Sequence, residues 1–256
     1  MQRLDKHHLA FTEYLSGKLS PAPLDELRPG RILELGCGSG AWPIQATTQL
    51  PAAQILAADR SPLPNRFLPA NISFQMADLA KEGDFKPDHF FDIVHARFVF
   101  CHVSNTHDAF RRLAQLVRPG GLLLIEDINA LSYFETAGPV SRRDHYISMM
   151  KQSCDERGAD MEFGRKTPDL IRALDDFPDV QVQKMSMPFG VNGPDDALNH
   201  LGPATKKFYI GTVDSVAEYL APRGFTREMA LKYREELEND SVDVYCCRAR
   251  RALASD

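Results

Sequence analysis

Apolar and polar positions change period along the chain, and the changes mark the elements. Across residues 3–19, Leu4, Leu9, Phe11, Tyr14, Leu15 and Leu19 fall mostly on one face of a 3.6-residue period, which predicts an amphipathic helix. A proline-rich connector, "SPAPLDELRPG", follows. "RILELG" is a short apolar run stopped by glycine, so it reads as a buried strand. "WPIQATTQL" reads as helix, with Pro43 tolerable in a first turn. Four more short runs read as strands: "QILAADRS", "ISFQMADL", "FFDIVHARFVF" and "LLLIEDI". Between the last two, "HDAFRRLAQLVRPGG" predicts a helix ended by Pro119-Gly120-Gly121.

Five strands alternating with helices or connectors over residues 31–128 imply a parallel sheet covered on both faces. Ligands in such sheets bind at the carboxyl ends of the strands. Asp59, Asp78, Arg97, Glu126 and Asp127 mark those ends. Beyond residue 130 the pattern changes. Residues 139–157, 166–176, 204–221 and 226–239 read as helices, and "DVQVQKMSMPF" and "SVDVYCCRARR" as strands. Roughly 50 residues separate these two strands, where a hairpin needs only a few, so the excess suits a lid over the ligand edge.

Composition adds exclusions. The 256 residues are 43% hydrophobic and 25% charged, with a formal net charge of −5. That balance gives no basic footprint for nucleic acid. No apolar run approaches the ~20 residues of a membrane span, and "MQRLDKHHLAFTEYL" does not resemble a signal peptide. The expected compartment is the cytoplasm, with the nucleus not excluded. The odd number of cysteines, Cys37, Cys101, Cys154, Cys246 and Cys247, without a CxxC spacing, reads as reduced and mostly buried thiols, with no metal site. Cys246 and Cys247 are adjacent in a strand pattern and must face opposite sides.

The chemistry concentrates in "RILELGCGSGAWPIQA". A P-loop is excluded, because Gly40 is followed by Ala41 and Trp42 and no lysine is near. A dinucleotide loop fits locally: Gly36, Gly38 and Ala41 match G-x-G-x-x-A, and Asp59 falls where a ribose acid should. A third reading is S-adenosyl-L-methionine, with Glu34 ahead of Gly36, Gly38 and Gly40. That cofactor has no pyrophosphate, and glycines let the backbone approach its methionine and ribose parts closely. Glu34 suits the electropositive amino-acid end, and Asp59 the two ribose hydroxyls. Asp78 suits the adenine amino group, with the Leu79 N–H beside it. Any one acid at a strand end is ordinarily a turn or cap residue. Three at successive ends, next to this loop, favour the third reading.

"LELGCGSGAW", "AADRSP", "MADL", "FDIVHARFVF" and "LVRPGGLLLIED" together resemble class I S-adenosylmethionine-dependent methyltransferases. "RLDKHHLAFTEYLSGKLSPAPL", Trp42 and the His95-x-Arg97 pair more narrowly resemble the fungal secondary-metabolism members, some of which act on small metabolites while others regulate gene clusters. The resemblance covers residues 3–128. It implies an α/β fold: a Rossmann-like, seven-stranded, mostly parallel sheet with helices on both faces, the last strand antiparallel beside the fifth. An N-terminal helix and helical cap insertions complete it. It implies one domain, with a lid helix and connector over 1–29, a cofactor half over 30–128 and a substrate and cap half over 129–256. It also implies that the backbone around Ala96 lies near the methionine end.

The expected activity is methyl transfer to a small-molecule, secondary-metabolite acceptor, on oxygen, leaving S-adenosyl-L-homocysteine. The alternatives are a regulator without turnover and a relative using the cofactor for a rearrangement. A hydroxyl acceptor needs a base, and an acid needs none. His102 and Asp127 are the candidate catalytic residues. His7, His8, His95, His107 and His145 are weaker candidates, and Tyr14, Trp42, Tyr133 and Phe134 are candidates to face the sulfonium. For Trp42 a core position is the stronger reading. A homodimer is left open.

Overall fold

The computed structural model describes residues 2–24, 30–132, 141–191, 195–236 and 241–254. Tyr133 and Phe134 lie outside the described residues, as does the side chain of His145. Helix α1 spans Gln2–Tyr14. Strand β1, Arg31–Leu35, leads into α2, Ala41–Gln49. Strands β2, Gln54–Asp59, and β3, Ile72–Met76, follow. Strand β4, Phe91–Arg97, is followed by a single 3-10 turn at Phe100–His102 and by α3, Thr106–Ala114. Then come β5, Val117–Asn129, α4, Ser141–Glu156, and α5, Phe163–Arg172. The chain closes through β6, Asp179–Pro188, α6, Asp196–Leu220, α7, Arg227–Glu236, and β7, Ser241–Arg250.

The seven strands form one sheet in the order β3-β2-β1-β4-β5-β7-β6. The first five are parallel neighbours, and β7 runs antiparallel between β5 and β6. The strand order reverses beside β1, so the β1 and β4 carboxyl ends flank a switch point, where a crevice forms. Both faces of β1 are covered, which is why "RILEL" reads as a continuous apolar run rather than an alternation.

Three apolar cores result. One packs α2 and Leu19 on one face of β1 and β2, and a second packs α3 and α5 on the other. Phe100, Phe110 and Phe163 anchor the second, with centroids 5.0–5.4 Å apart. Each contributes ~1.5–3 kcal/mol through burial. The third joins α1, α4, α6 and α7 over the strand ends. Cys246 sits in the third core and Cys247 in the second, on opposite sheet faces, and all five thiols are free and buried.

Boundaries differ from the periodicity where side-chain pattern and backbone pairing disagree. The predicted helix through Arg118 ends at Ala114. Strand β5 starts at Val117, opposite Phe91, and runs through Pro119-Gly120-Gly121 across a register shift. Helix α6 begins at Asp196, well before 204, because the Asp195 carboxylate caps the Leu198 N–H at 2.8 Å. Helix α1 stops at Tyr14, and Leu19 is buried as part of the connector rather than of the helix.

Candidate functional site

The glycine loop forms one wall of a cleft at the strand ends. Gly36 and Gly38 have φ of +63° and +54°. A Cβ on Gly36 would stand 2.5 Å from Val99 Cγ2, so this position accepts no side chain. Gly40, between Ser39 and Ala41 of the cleft wall, is the left-handed N-cap of α2. A cavity of about 310 Å³ is bounded by Leu4, His8, Glu34, Gly36, Gly38 and Trp42. A second, of about 700 Å³, runs from Asp59, Asp78 and Leu79 to Met150, Arg157 and Tyr219. Arg3, Gly36, Phe98, His102 and Thr212 line both, so the two are continuous.

Asp59 ends β2 in a prepared state. One carboxylate oxygen accepts from the Gly38 N–H at 2.8 Å and the other from the Ser61 N–H at 2.9 Å. Each oxygen keeps a second lone pair for a ligand. Asp78, exposed after β3, orients on the Ala80 N–H at 3.0 Å. The side chain of Ala96 packs in the core; the residues after it, Arg97 and Phe98, reach the cleft instead.

Beneath the loop lies a buried charge network. His95 donates from Nδ1 to Glu34 Oε2, and Arg97 donates from Nε to Glu126 Oε2. His95 Nε2 faces Glu126 Oε1 at 3.8 Å and has no hydrogen-bond partner. Ser20 donates to Glu126 at 2.6 Å, while Arg97 and Trp42 both donate to the Leu19 carbonyl. The connector after α1 is therefore pinned to the sheet by polar bonds. Trp42 is buried and stacks on His95, centroids 4.1 Å apart at 14°, in keeping with the core reading.

Burial pushes Glu34 up, against the opposing pull of His95. Burial works against the His95 charge, but Glu34 and Glu126 outweigh it and raise its pKa. Both shifts mean that the pair keeps its proton to higher pH than the free groups do. Glu126 resists its own burial through Arg97 and His95 and is held at about 2.

Two candidate bases fare differently. Asp127 faces the interior of the sheet rather than the cleft. Buried at the end of β5, it accepts from the Phe100 and Ile128 N–H groups at 2.8 Å and from Cys101 N–H at 3.4 Å. Burial raises it to about 6, and its work is to anchor the turn after β4. His102 does face the cleft. Its side chain is accessible there, yet crowding by the walls, then Arg157 and Arg60, lowers it to about 4. It is neutral at physiological pH and a weak proton acceptor.

Among the other histidines, His7 is buried and held at about 3, stacked on Phe208 at 4.5 Å. His8 donates to Gln45 at 2.7 Å, and His107 to Asp160 at 2.7 Å in a separate surface hollow.

Sequence reasoning misses Phe98. It follows β4 with φ +56°, the left-handed region that costs a bulky residue ~1–2 kcal/mol. Its N–H is held by the Glu126 carbonyl at 2.8 Å, and its ring borders the cleft where the two cavities join. A positive φ at a non-glycine leaves no mark in the sequence. Arg3 is missed too: it donates to the Phe208 carbonyl at 3.0 Å and tethers α1 to α6.

This sheet order, with a glycine loop after β1 and acids after β2 and β3, is that of the class I methyltransferases. The chain belongs to the methyltransferase-domain family, whose model matches residues 6–172. It is similar to methyltransferase str3 of Strobilurus tenacellus, 37% identical over 88% of this chain and 80% of that one. Methyltransferase str2 of the same organism is 31% identical over 96% of this chain and 88% of the relative. Among solved structures, phosphoethanolamine N-methyltransferase 2 of Haemonchus contortus with S-adenosyl-L-methionine has TM-score 0.55 at 16% identity. The match covers 96% of this chain and little more than half, 56%, of that one, so it speaks for the fold.

Proposed function

We propose that the protein transfers a methyl group from S-adenosyl-L-methionine to oxygen of a small secondary-metabolite acceptor. One observation carries this: a single cleft joins a carboxylate oriented by two backbone N–H groups, Asp59, to an apolar chamber under two lid helices. The residues present fit the cofactor. Gly36 and Gly38 supply a wall without side chains, Asp59 takes the ribose hydroxyls, and Asp78 with Leu79 borders the adenine. Glu34, already bonded to His95, borders the amino-acid end. The cofactor supplies an activated methyl group on a sulfonium, a good leaving group. The chain's task is alignment and exclusion of water. Phe98 borders both cavities, and α1 and α6 cover them through Arg3, His7 and Phe208.

Calorimetry with S-adenosylhomocysteine tests the premise. Wild type binds in the micromolar class, and Asp59→Ala loses at least tenfold, because each hydrogen bond to a charged group contributes ~1.5–3 kcal/mol. Unchanged affinity in the variant refutes the assignment. Transfer of a labelled methyl group into a metabolite extract separates an enzyme from a regulator that binds without turnover.

A further inference from the structure

The cleft has two chemical halves. Its accessible carboxylates, among the described residues, are Asp59 and Asp78, both on the β2–β3 side and both oriented by backbone N–H groups. The opposite half is walled by Phe98, Ile128, Met150, Met161, Val216 and Tyr219. Two cations border that half among the described residues: Arg3, at the junction of the two cavities and donating to the Phe208 carbonyl, and Arg157, just beyond α4.

Arg157 is half-buried. Its Nε donates to the Ser153 carbonyl at 3.1 Å, its Nη2 reaches Cys154 Sγ at 3.6 Å, and its Cζ lies 5.7 Å from the Tyr219 ring centre. These partners are all neutral, and no described carboxylate pairs with it. Arg66, Arg97, Arg118 and Arg251 each pair with a carboxylate. Arg3 and Arg60 of the same cavity do not, but Arg3 is taken up by the Phe208 carbonyl and ring, and Arg60 is exposed beside Asp59. That leaves Arg157 as the one of the three set against Met150, Met161 and Tyr219. A guanidinium has five N–H donors in a fork that matches a carboxylate. Holding one against an apolar wall without a counter-ion costs free energy, and an anionic ligand recovers it.

A second, independent feature is the lack of a base. The imidazoles facing this half near Phe98 are His7 and His102; Cys101, Cys154 and Tyr219 also line it, and burial raises both thiols so that they stay protonated. His7 Nε2 is buried without a partner, and His102 shares its surroundings with Arg157 and Arg60. Both imidazoles sit far below a phenolic hydroxyl, of pKa near 10, in basicity. Neither takes such a proton readily, and Asp127 is turned away. An acceptor that arrives already ionised fits this chamber; a neutral hydroxyl does not.

Resting on the methyl-transfer reading above, we propose that the acceptor is a carboxylic acid with an apolar, ring-sized body, bound as its carboxylate on Arg157. One carboxylate oxygen supplies the electron pair for the new O–CH3 bond. The S–CH3 bond breaks with its pair left on sulfur, no proton moves, and the product is a methyl ester. Arg157 is then the residue that sets acceptor class.

The test is calorimetry with S-adenosylhomocysteine at saturation and three probes: 3-phenylpropanoate, its primary amide and 4-propylphenol. Wild type binds the acid at least tenfold tighter than either neutral probe. Arg157→Gln abolishes that preference while its S-adenosylhomocysteine affinity stays within about twofold, and Arg157→Lys keeps part of it. Equal binding of the amide or the phenol overturns the proposal. So does a preference that survives in Arg157→Gln, or no binding of the acid at millimolar concentration. The wild-type comparison of acid with amide stands alone should a variant fail to fold. A wild type that takes up no S-adenosylhomocysteine instead refutes the methyl-transfer reading, before any probe is added.

Discussion

Glu126 and His95 share one buried network, yet they make stability depend on pH in opposite directions. Glu126 drops from 4.5 to about 2 on folding, so its contribution is full above the unfolded value and is lost as pH falls through about 2. That shift is worth roughly 3 kcal/mol. His95 is raised, so its contribution is full below 6.5 and is lost as pH rises through the folded value. Glu34 is raised too and adds the same sign. His7 and His8, lowered to about 3 and about 4, have the opposite sign and cost stability as pH falls below 6.5. Thermal melts of wild type should therefore be highest near pH 6.5 and decline on the alkaline side as His95 loses its proton. His95→Gln flattens that alkaline limb, and an unchanged limb would place the proton elsewhere. Glu126→Gln leaves the Arg97 guanidinium buried without its counter-ion and costs about 3–5 kcal/mol in urea unfolding. Phe98 is a residue of a different kind, in that its value is positional. Phe98→Ala removes the ring against His7 and Phe11, 5.6 and 5.8 Å away. It should lower kcat by tenfold or more while changing S-adenosylhomocysteine affinity much less, in a KM and kcat comparison.

Helix α1 covers the cleft, and its hold is polar at both ends. Arg3 donates to the Phe208 carbonyl on α6, and the connector beyond α1 is bonded at Leu19 and Ser20 by Arg97, Trp42 and Glu126. A helix of 13 residues is marginal alone and depends on such docking. Arg3→Ala should raise amide exchange across residues 2–14 several-fold without moving the global melt, since the sheet cores are untouched. Equal protection in the variant would mean that the apolar contacts of Phe11 suffice. At this scale the sequence reveals helices by period but misplaces their ends. The α3 pattern continues toward Arg118, yet Val117 pairs with Phe91 and the backbone turns to strand. The N-terminal bound of α6 rests on one cap, Asp195, well before the start at 204 that the periodicity predicts.

Across the whole molecule the five thiols are buried and unpaired. A thiol reagent should label the native protein slowly and count five groups only in denaturant. Fast native labelling of one group would single out Cys37, Cys101 or Cys154, which border the cleft. The chain by itself determined the parallel sheet, the glycine loop after β1 and the acids of β2 and β3. These depend on local periodicity, on glycine's unique access to positive φ, and on strand ends that any parallel sheet brings to one edge. Tertiary structure alone decided which groups face the chamber. It turned Asp127 into an anchor for backbone N–H groups and lowered the basicity of His102. It bent Phe98 into the left-handed region and left Arg157 without a carboxylate. Facing, burial and pairing are relations between segments as much as a hundred or more residues apart, and no local pattern encodes them.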